Sequence, residues 1–183
     1  GGCFATFDGV DDGLVADASG LGSADFSISA FARPQPVPSG GIAFVAGVHK
    51  DGSSNGYYLA LADDAGTDVA RFVSFSGSAT CSPSAPLPSG GDWVHLLGSY
   101  SDGTARLFID GSLAAESPCD APAVDASARF TIGRSENNLF PFAGDLDDVA
   151  YYAKPTVEAF RAGDLGCESA VFRFDFEGRS EER

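Results

Sequence analysis

The chain has 183 residues, a length for which one domain is the default reading. Its 11 Lys and Arg stand against 26 Asp and Glu, a net charge of −15, which excludes nucleic acid and anionic membrane surfaces as partners because phosphate binding needs a basic face. A hydrophobic content of 44% excludes general disorder, and no run approaches the roughly 18 apolar residues of a membrane-inserted helix.

Apolar residues alternate with polar ones along most of the chain, the pattern of half-buried strands. Strands are expected over 3–8 (CFATFD) and 25–33 (DFSISAFAR), the second placing Phe26, Ile28, Ala30 and Ala32 on one face. A Pro/Ser/Gly-rich loop over 34–41 follows, then strands over 41–48, 56–62 and 69–75, and a second such loop over 82–91. Further strands are expected over 92–100 and 104–109, the latter running into Asp110-Gly111, a strong two-residue hairpin signal, with LAAES as its return. The remaining strands fall at 128–133, 145–152 and 170–176, with 179–183 as a tail. Pro155 followed by TVEAFRAG predicts one short helical turn stopped by Gly163. Short strands at this spacing predict an all-β sandwich or barrel.

The chain has no Met, even at position 1, and reads as an excised or processed domain of a larger chain. Its four cysteines contain no C-x-x-C pair, which argues against a zinc knuckle. Widely spaced and even in number, they fit two disulfides in an oxidising compartment, hence a secreted or cell-surface protein. Of the three possible pairings, Cys3–Cys167 with Cys81–Cys119 is favoured, the first stapling the two ends and the second cross-linking mid-chain segments. Trp93 and His95 alternate onto one face, His49 sits at a strand end, and Gly52–Gly56 spells G-x-S-x-G around Ser54 in a hairpin loop. A hydrolase elbow needs a strand before that motif and a helix after it, and the segment after it reads as a strand.

Four segments in order resemble the laminin-G-like domains of the concanavalin A-like lectin/glucanase superfamily: FATFDGVDDGLV, DFSISAFARP, GDWVHLLGSYSDGTARLFIDGSLAAE and FTIGRSENNLFPFAGDLDDVAYYAKP, together spanning residues 4–155. The resemblance implies a jelly-roll sandwich of two antiparallel sheets with at most one short helix. It places Trp93 and His95 in structural roles. The chain departs from the family pattern at its end: 170–178 (AVFRFDFEG) resembles a strand that precedes the FATFDG segment in the family, and here it comes last. It either opens a following repeat or completes this domain (residues 1–178) with 170–176 as its last strand, the reading favoured because an open sandwich edge invites aggregation. The resemblance also implies neighbouring first and last strands, so that Asp8, Asp11 and Asp12 would face Asp145, Asp147 and Asp148. Such hard oxygen donors suit calcium, with Asp8, Asp12 and Asp147 as the expected ligands.

Glucanases of this superfamily use alternating acids, one as nucleophile and one as acid/base. Here D-L-D-D-V lacks a Glu on the required step, and Asp175 with Glu177 lacks a third acid, so no catalytic residue is assigned. A recognition surface is expected from the loops 49–57 and 134–142, with Tyr57, Asn137, Asn138 and Phe140 as ligand contacts. The resulting expectation is a non-catalytic binding or adhesion module, lectin-like, whose partner is a glycan or an extracellular protein. A purely architectural domain and a glucanase-like hydrolase are the alternatives.

Overall fold

The computed structural model describes residues 4–16, 21, 25–50, 52–77, 79–125 and 127–153, together with the backbone of 172–175 and 179–180. The first eight strands are β1 (Ala5–Asp8), β2 (Leu14–Ala16), β3 (Phe26–Pro34), β4 (Ile42–His49), β5 (Asn55–Asp64), β6 (Thr67–Ser76), β7 (Ala79–Cys81) and β8 (Ser84–Pro86). They are followed by β9 (Val94–Ser101), β10 (Thr104–Ile109), β11 (Ser112–Pro118), β12 (Phe130–Ile132), β13 (Ala143–Tyr152), β14 (Phe172–Asp175) and β15 (Arg179–Ser180). No helix occurs among the described residues. The helical turn expected over 155–163 lies outside them, as do Cys3 and Cys167.

All strand pairings are antiparallel and fall into two sheets, the sandwich expected from the alternation. The first sheet runs β11-β10-β9-β3-β13-β14-β15, and the second runs β2-β12-β4-β5-β6-β7. Two flanks are shared between short strands. β1 and β14 lie end to end along the same flank of β13, against Ala143–Leu146 and Val149–Tyr151. β8 and β7 do the same along β6. Arg179 and Ser180, expected to begin the tail, pair back onto β14 as β15.

Asp102-Gly103 and Asp110-Gly111 turn β9 into β10 and β10 into β11 with positive φ at every turn residue. This conformation matches the right-handed twist of the flanking strands. Inward-facing residues from both sheets form one core, in which Phe26 meets Tyr57 at 4.0 Å between ring centroids, Tyr151 at 5.9 Å, Tyr100 at 6.1 Å and Phe72 at 6.2 Å. Gly98 on β9 leaves the space that the Phe72 ring fills from the opposite sheet; a Cβ there would overlap three atoms of that ring. On the β7/β11 side a Cys81–Cys119 disulfide joins the sheets, with a Cα–Cα distance of 5.9 Å. It ties an edge strand of the second sheet to the residue that follows the edge strand of the first.

Candidate functional site

Antiparallel register gathers several loops at one rim of the sandwich. The end of β1 (Asp8) pairs with the start of β13 (Ala143), which adjoins the end of β3 (Pro34), and the start of β9 lies across from that end. The Ala65-Gly66 turn from β5 to β6 and the loop 133–142 from β12 to β13 reach the same rim. The turn from β4 to β5, preceding Tyr57, lies at the opposite rim.

A cleft of about 580 Å³ opens here between the ends of the two sheets, lined among others by Pro34, Asp68, Leu87, Asp92, Trp93 and Asp110. Trp93, expected in a structural role, is 37% exposed and forms part of the cleft wall. Val94 is buried, so the alternation turns Trp93, the residue just before β9, to the outer face of the sheet. On the outer face of the first sheet Thr6, Asp145, Arg33 and Trp93 follow one another across four chain segments. The Arg33 guanidinium carbon lies 5.2 Å from the centroids of both Phe4 and Trp93, and Arg33 donates to Asp145 Oδ2 at 2.7 and 2.8 Å. Phe4 meets Trp93 edge-on at 5.6 Å. The cation–π stack and the ion pair together fix the indole's position.

Burial pushes the Asp145 carboxyl up, but hydrogen bonds from Thr6 and Arg33 and the Arg33 charge outweigh it, so its pKa is lowered overall. Asp145 is thus ionised and paired with Arg33. Farther along the same face, burial lowers His95 to about 4 against the upward pull of Asp110 and Asp148, so the imidazole is neutral at physiological pH. His95 is buried, with its ring 4.7 Å from Phe31. His49, at the end of β4, is buried too, stacked on Phe75 at 4.9 Å.

Asp8, Asp11 and Asp12 come together in the loop after β1, with one carboxylate oxygen of each within 4.8 Å of the others. Asp8 Oδ1 accepts from the Val10 amide at 2.7 Å, and Asp12 Oδ2 accepts from the Asp8 amide at 2.9 Å. The loop's own amides thus hold the crowded carboxylates in place. Three carboxylate oxygens gathered this closely are hard donors of the kind a divalent cation takes. Asp147 is a correction to the expected ligand set. Asp8 pairs with Ala143, which puts Asp147 four residues farther along β13, about 13 Å away at the rise of a strand. Asp145 stands between them on the same face, tied to Arg33.

Tyr57 is a second correction. It faces inward on β5, is 0% exposed and packs against Phe26, so it cannot touch a ligand at the surface. Burial first, and the Tyr151 phenol second, push its own phenol upward. Asn137, Asn138 and Phe140 do lie exposed at the rim. The Asn138 side-chain oxygen accepts from Arg134, however, and the loop is closed by Asn138 N–H to Ser135 O and Ser135 N–H to Leu139 O, both 3.0 Å. Asn138 therefore helps shape the loop, while Phe140, 39% exposed, offers a ring face. Gly13 leaves room for the Arg134 side chain, which brings this loop against the acidic one. Asp175 and Glu177 lie outside the residues whose side chains are described. The role of Trp93 is hidden in the sequence because a lone Trp beside an alternating strand reads as core; the preceding Gly-Gly-Asp is the available sign of a strand end.

Residues 8–159 match the family model for laminin G domains described as the concanavalin A-like lectin/glucanases superfamily. No curated protein sequence matches the chain. Among solved structures, the enzymatically active domain of tailspike protein 2 from bacteriophage CBA120 superposes with a TM-score of 0.70 at 12% identity, over 98% of this chain and 32% of that one. A protein from Bacteroides ovatus described as a carbohydrate-binding protein gives 0.69 at 16% identity, over 98% and 53%. The CBM40 of a Ruminococcus gnavus sialidase, bound to sialyllactose, gives 0.59 at 15% identity, over 85% and 94%. The chain thus spans about a third of the tailspike domain and half of the Bacteroides protein.

Proposed function

The chain belongs to the concanavalin A-like lectin/glucanase superfamily, and from that premise we propose that it is a non-catalytic, extracellular carbohydrate-binding module whose site is the Trp93 cleft. The observation that carries this reading is the exposed indole held in a cleft with carboxylates. A pyranose ring presents C–H groups to an aromatic face and hydroxyls to carboxylate acceptors, which is the donor–acceptor set this cleft offers. The Bacteroides ovatus and Ruminococcus gnavus proteins support a glycan ligand for this fold. Engagement of Asp145 by Arg33 supports a binding role over hydrolysis, since it removes one member of the only alternating acid pair on β13. The Cys81–Cys119 disulfide supports an oxidising, extracellular setting.

A structural calcium ion held by Asp8, Asp11 and Asp12 belongs to the same reading. When bound it would neutralise the three charges and stiffen the loop beside Arg134 and Asn138. A glycan array probed with the wild type and with Trp93→Ala, each with calcium and with chelator, tests the proposal. Sugar-specific signal lost in W93A is expected, and a variant that binds sugars as the wild type does would overturn the assignment of the cleft. For the ion, calcium should raise the melting temperature of the wild type but not of Asp12→Asn.

A further inference from the structure

We propose that the Trp93 cleft selects glycans carrying free ammonium groups, that is, de-N-acetylated amino-sugar polymers, with the sugar ring stacked on the indole and its ammonium paired to the cleft carboxylates. The inference rests on the carbohydrate-binding reading and narrows it to one class of sugar. Among the described residues, every charged side chain lining the cleft is acidic: Asp68, Asp92 and Asp110. The two cationic candidates nearby do not offset them. Arg33 stacks on the Trp93 indole but is paired to Asp145, and His95, which donates its backbone amide to Asp110 Oδ1 at 2.9 Å, carries a neutral ring. Asp63 caps the adjoining β5–β6 turn through the Gly66 amide at 3.0 Å and adds a further negative charge at the rim.

Backbone amides hold two of the three cleft carboxylates: Val37 N–H reaches Asp68 Oδ1 at 3.3 Å, as His95 N–H reaches Asp110. Each is thereby oriented before any ligand arrives. The third, Asp92, is exposed and adjacent in sequence to Trp93. The sugar ring's C–H face packs on the indole while its ammonium group meets a carboxylate through a charge-assisted hydrogen bond, so a single protonated amino sugar uses both features. A neutral or N-acetylated sugar buries the same carboxylates without a counter-charge, which costs affinity. A sulfated, sialylated or uronic sugar meets like charge, reinforced by the net −15 of the chain.

The test is calorimetric titration with chitosan hexamer, fully N-acetylated chitin hexamer, cellohexaose and oligolysine, under mildly acidic conditions and at low and high salt. Wild type, Asp92→Asn and Trp93→Phe are compared, with melting curves to confirm that all are folded. Expected is tightest binding of chitosan hexamer, weakened by salt and about tenfold weaker in D92N, the loss of one charge-assisted bond. W93F, which keeps a smaller ring, should bind chitosan more weakly while still preferring it to chitin. Chitosan binding unchanged in D92N would place the sugar elsewhere and overturn the inference. Equal affinity for the chitosan and chitin hexamers would overturn charge selection while leaving the carbohydrate-binding reading intact. Oligolysine bound as tightly as chitosan would overturn the amino-sugar assignment in favour of basic peptides. Binding of no sugar at all would overturn both.

Discussion

Replacing Cys81 and Cys119 together by Ser should cost this protein about 4 kcal/mol. The two residues are 38 apart in sequence, and a cross-link closing a loop of that size removes that much chain entropy from the unfolded state. The native state should survive the change. Cys119 keeps its N–H hydrogen bond to Gly103 O at 2.9 Å, its carbonyl still accepts from the Tyr100 hydroxyl at 3.3 Å, and β7 keeps its pairing with β6. The loss therefore falls on the denatured ensemble, which expands. In urea, the double variant should unfold at a lower midpoint with a steeper slope, because more surface is exposed on unfolding. The corresponding fall in melting temperature is about 8–16 °C for a chain of this size. A loss below about 1 kcal/mol, or an unchanged slope with altered near-ultraviolet dichroism, would refute the claim that this bridge acts by restraining the unfolded chain.

Deleting 168–183 removes β14 and bares the Val149–Tyr151 flank of β13; the melting temperature and solubility should both fall, and a truncated chain that melts like the whole one would sink this. His95 gives stability a pH dependence. Its folded pKa of about 4 lies below the ordinary 6.5, so its contribution is full above about pH 6.5 and is lost as pH falls toward 4, by up to about 3 kcal/mol. Urea midpoints at pH 7 and pH 5 should diverge less in His95→Gln, and an identical divergence in both proteins would count against burial as the cause. Gly98→Ala drives a Cβ into the Phe72 ring and should cost about 1–3 kcal/mol in urea unfolding. A smaller partner in Phe72→Leu/Gly98→Ala should recover part of that loss, and additive losses would refute direct overlap.

Where burial is one-sided and turns are short, the chain spells out its own structure. Phe26, Ile28, Ala30 and Ala32 face the core as their alternation demands, and Asp110-Gly111 makes the expected turn. β8 falls within a stretch that reads as loop because Ser82, Pro83, Ser84 and Pro86 dominate it, and β7 is too short to alternate. Both exist only by pairing with the edge of β6, a tertiary effect with no local signal. The acidic cluster illustrates the same limit. Closeness in sequence brings Asp8, Asp11 and Asp12 together, but whether Asp147 joins them depends on the register of β1 against β13, and that is fixed by the fold as a whole. Tyr57 reads as a loop residue and Trp93 as a core residue because each sits near a strand end, where one step of register exchanges inside for outside.

β13 receives β1 and β14 on the same flank, and this has a kinetic side. β1 must wait for a partner 139 residues away, as the Thr6–Asp145 bond shows. On a ribosome, the first strand emerges long before its dock exists, and the second occupant of that flank comes later still. Such distant pairing slows folding, and in the interval the newly made chain carries unsatisfied strands past every neighbouring copy. Yield on refolding should accordingly depend on how dilute the chains are while they search.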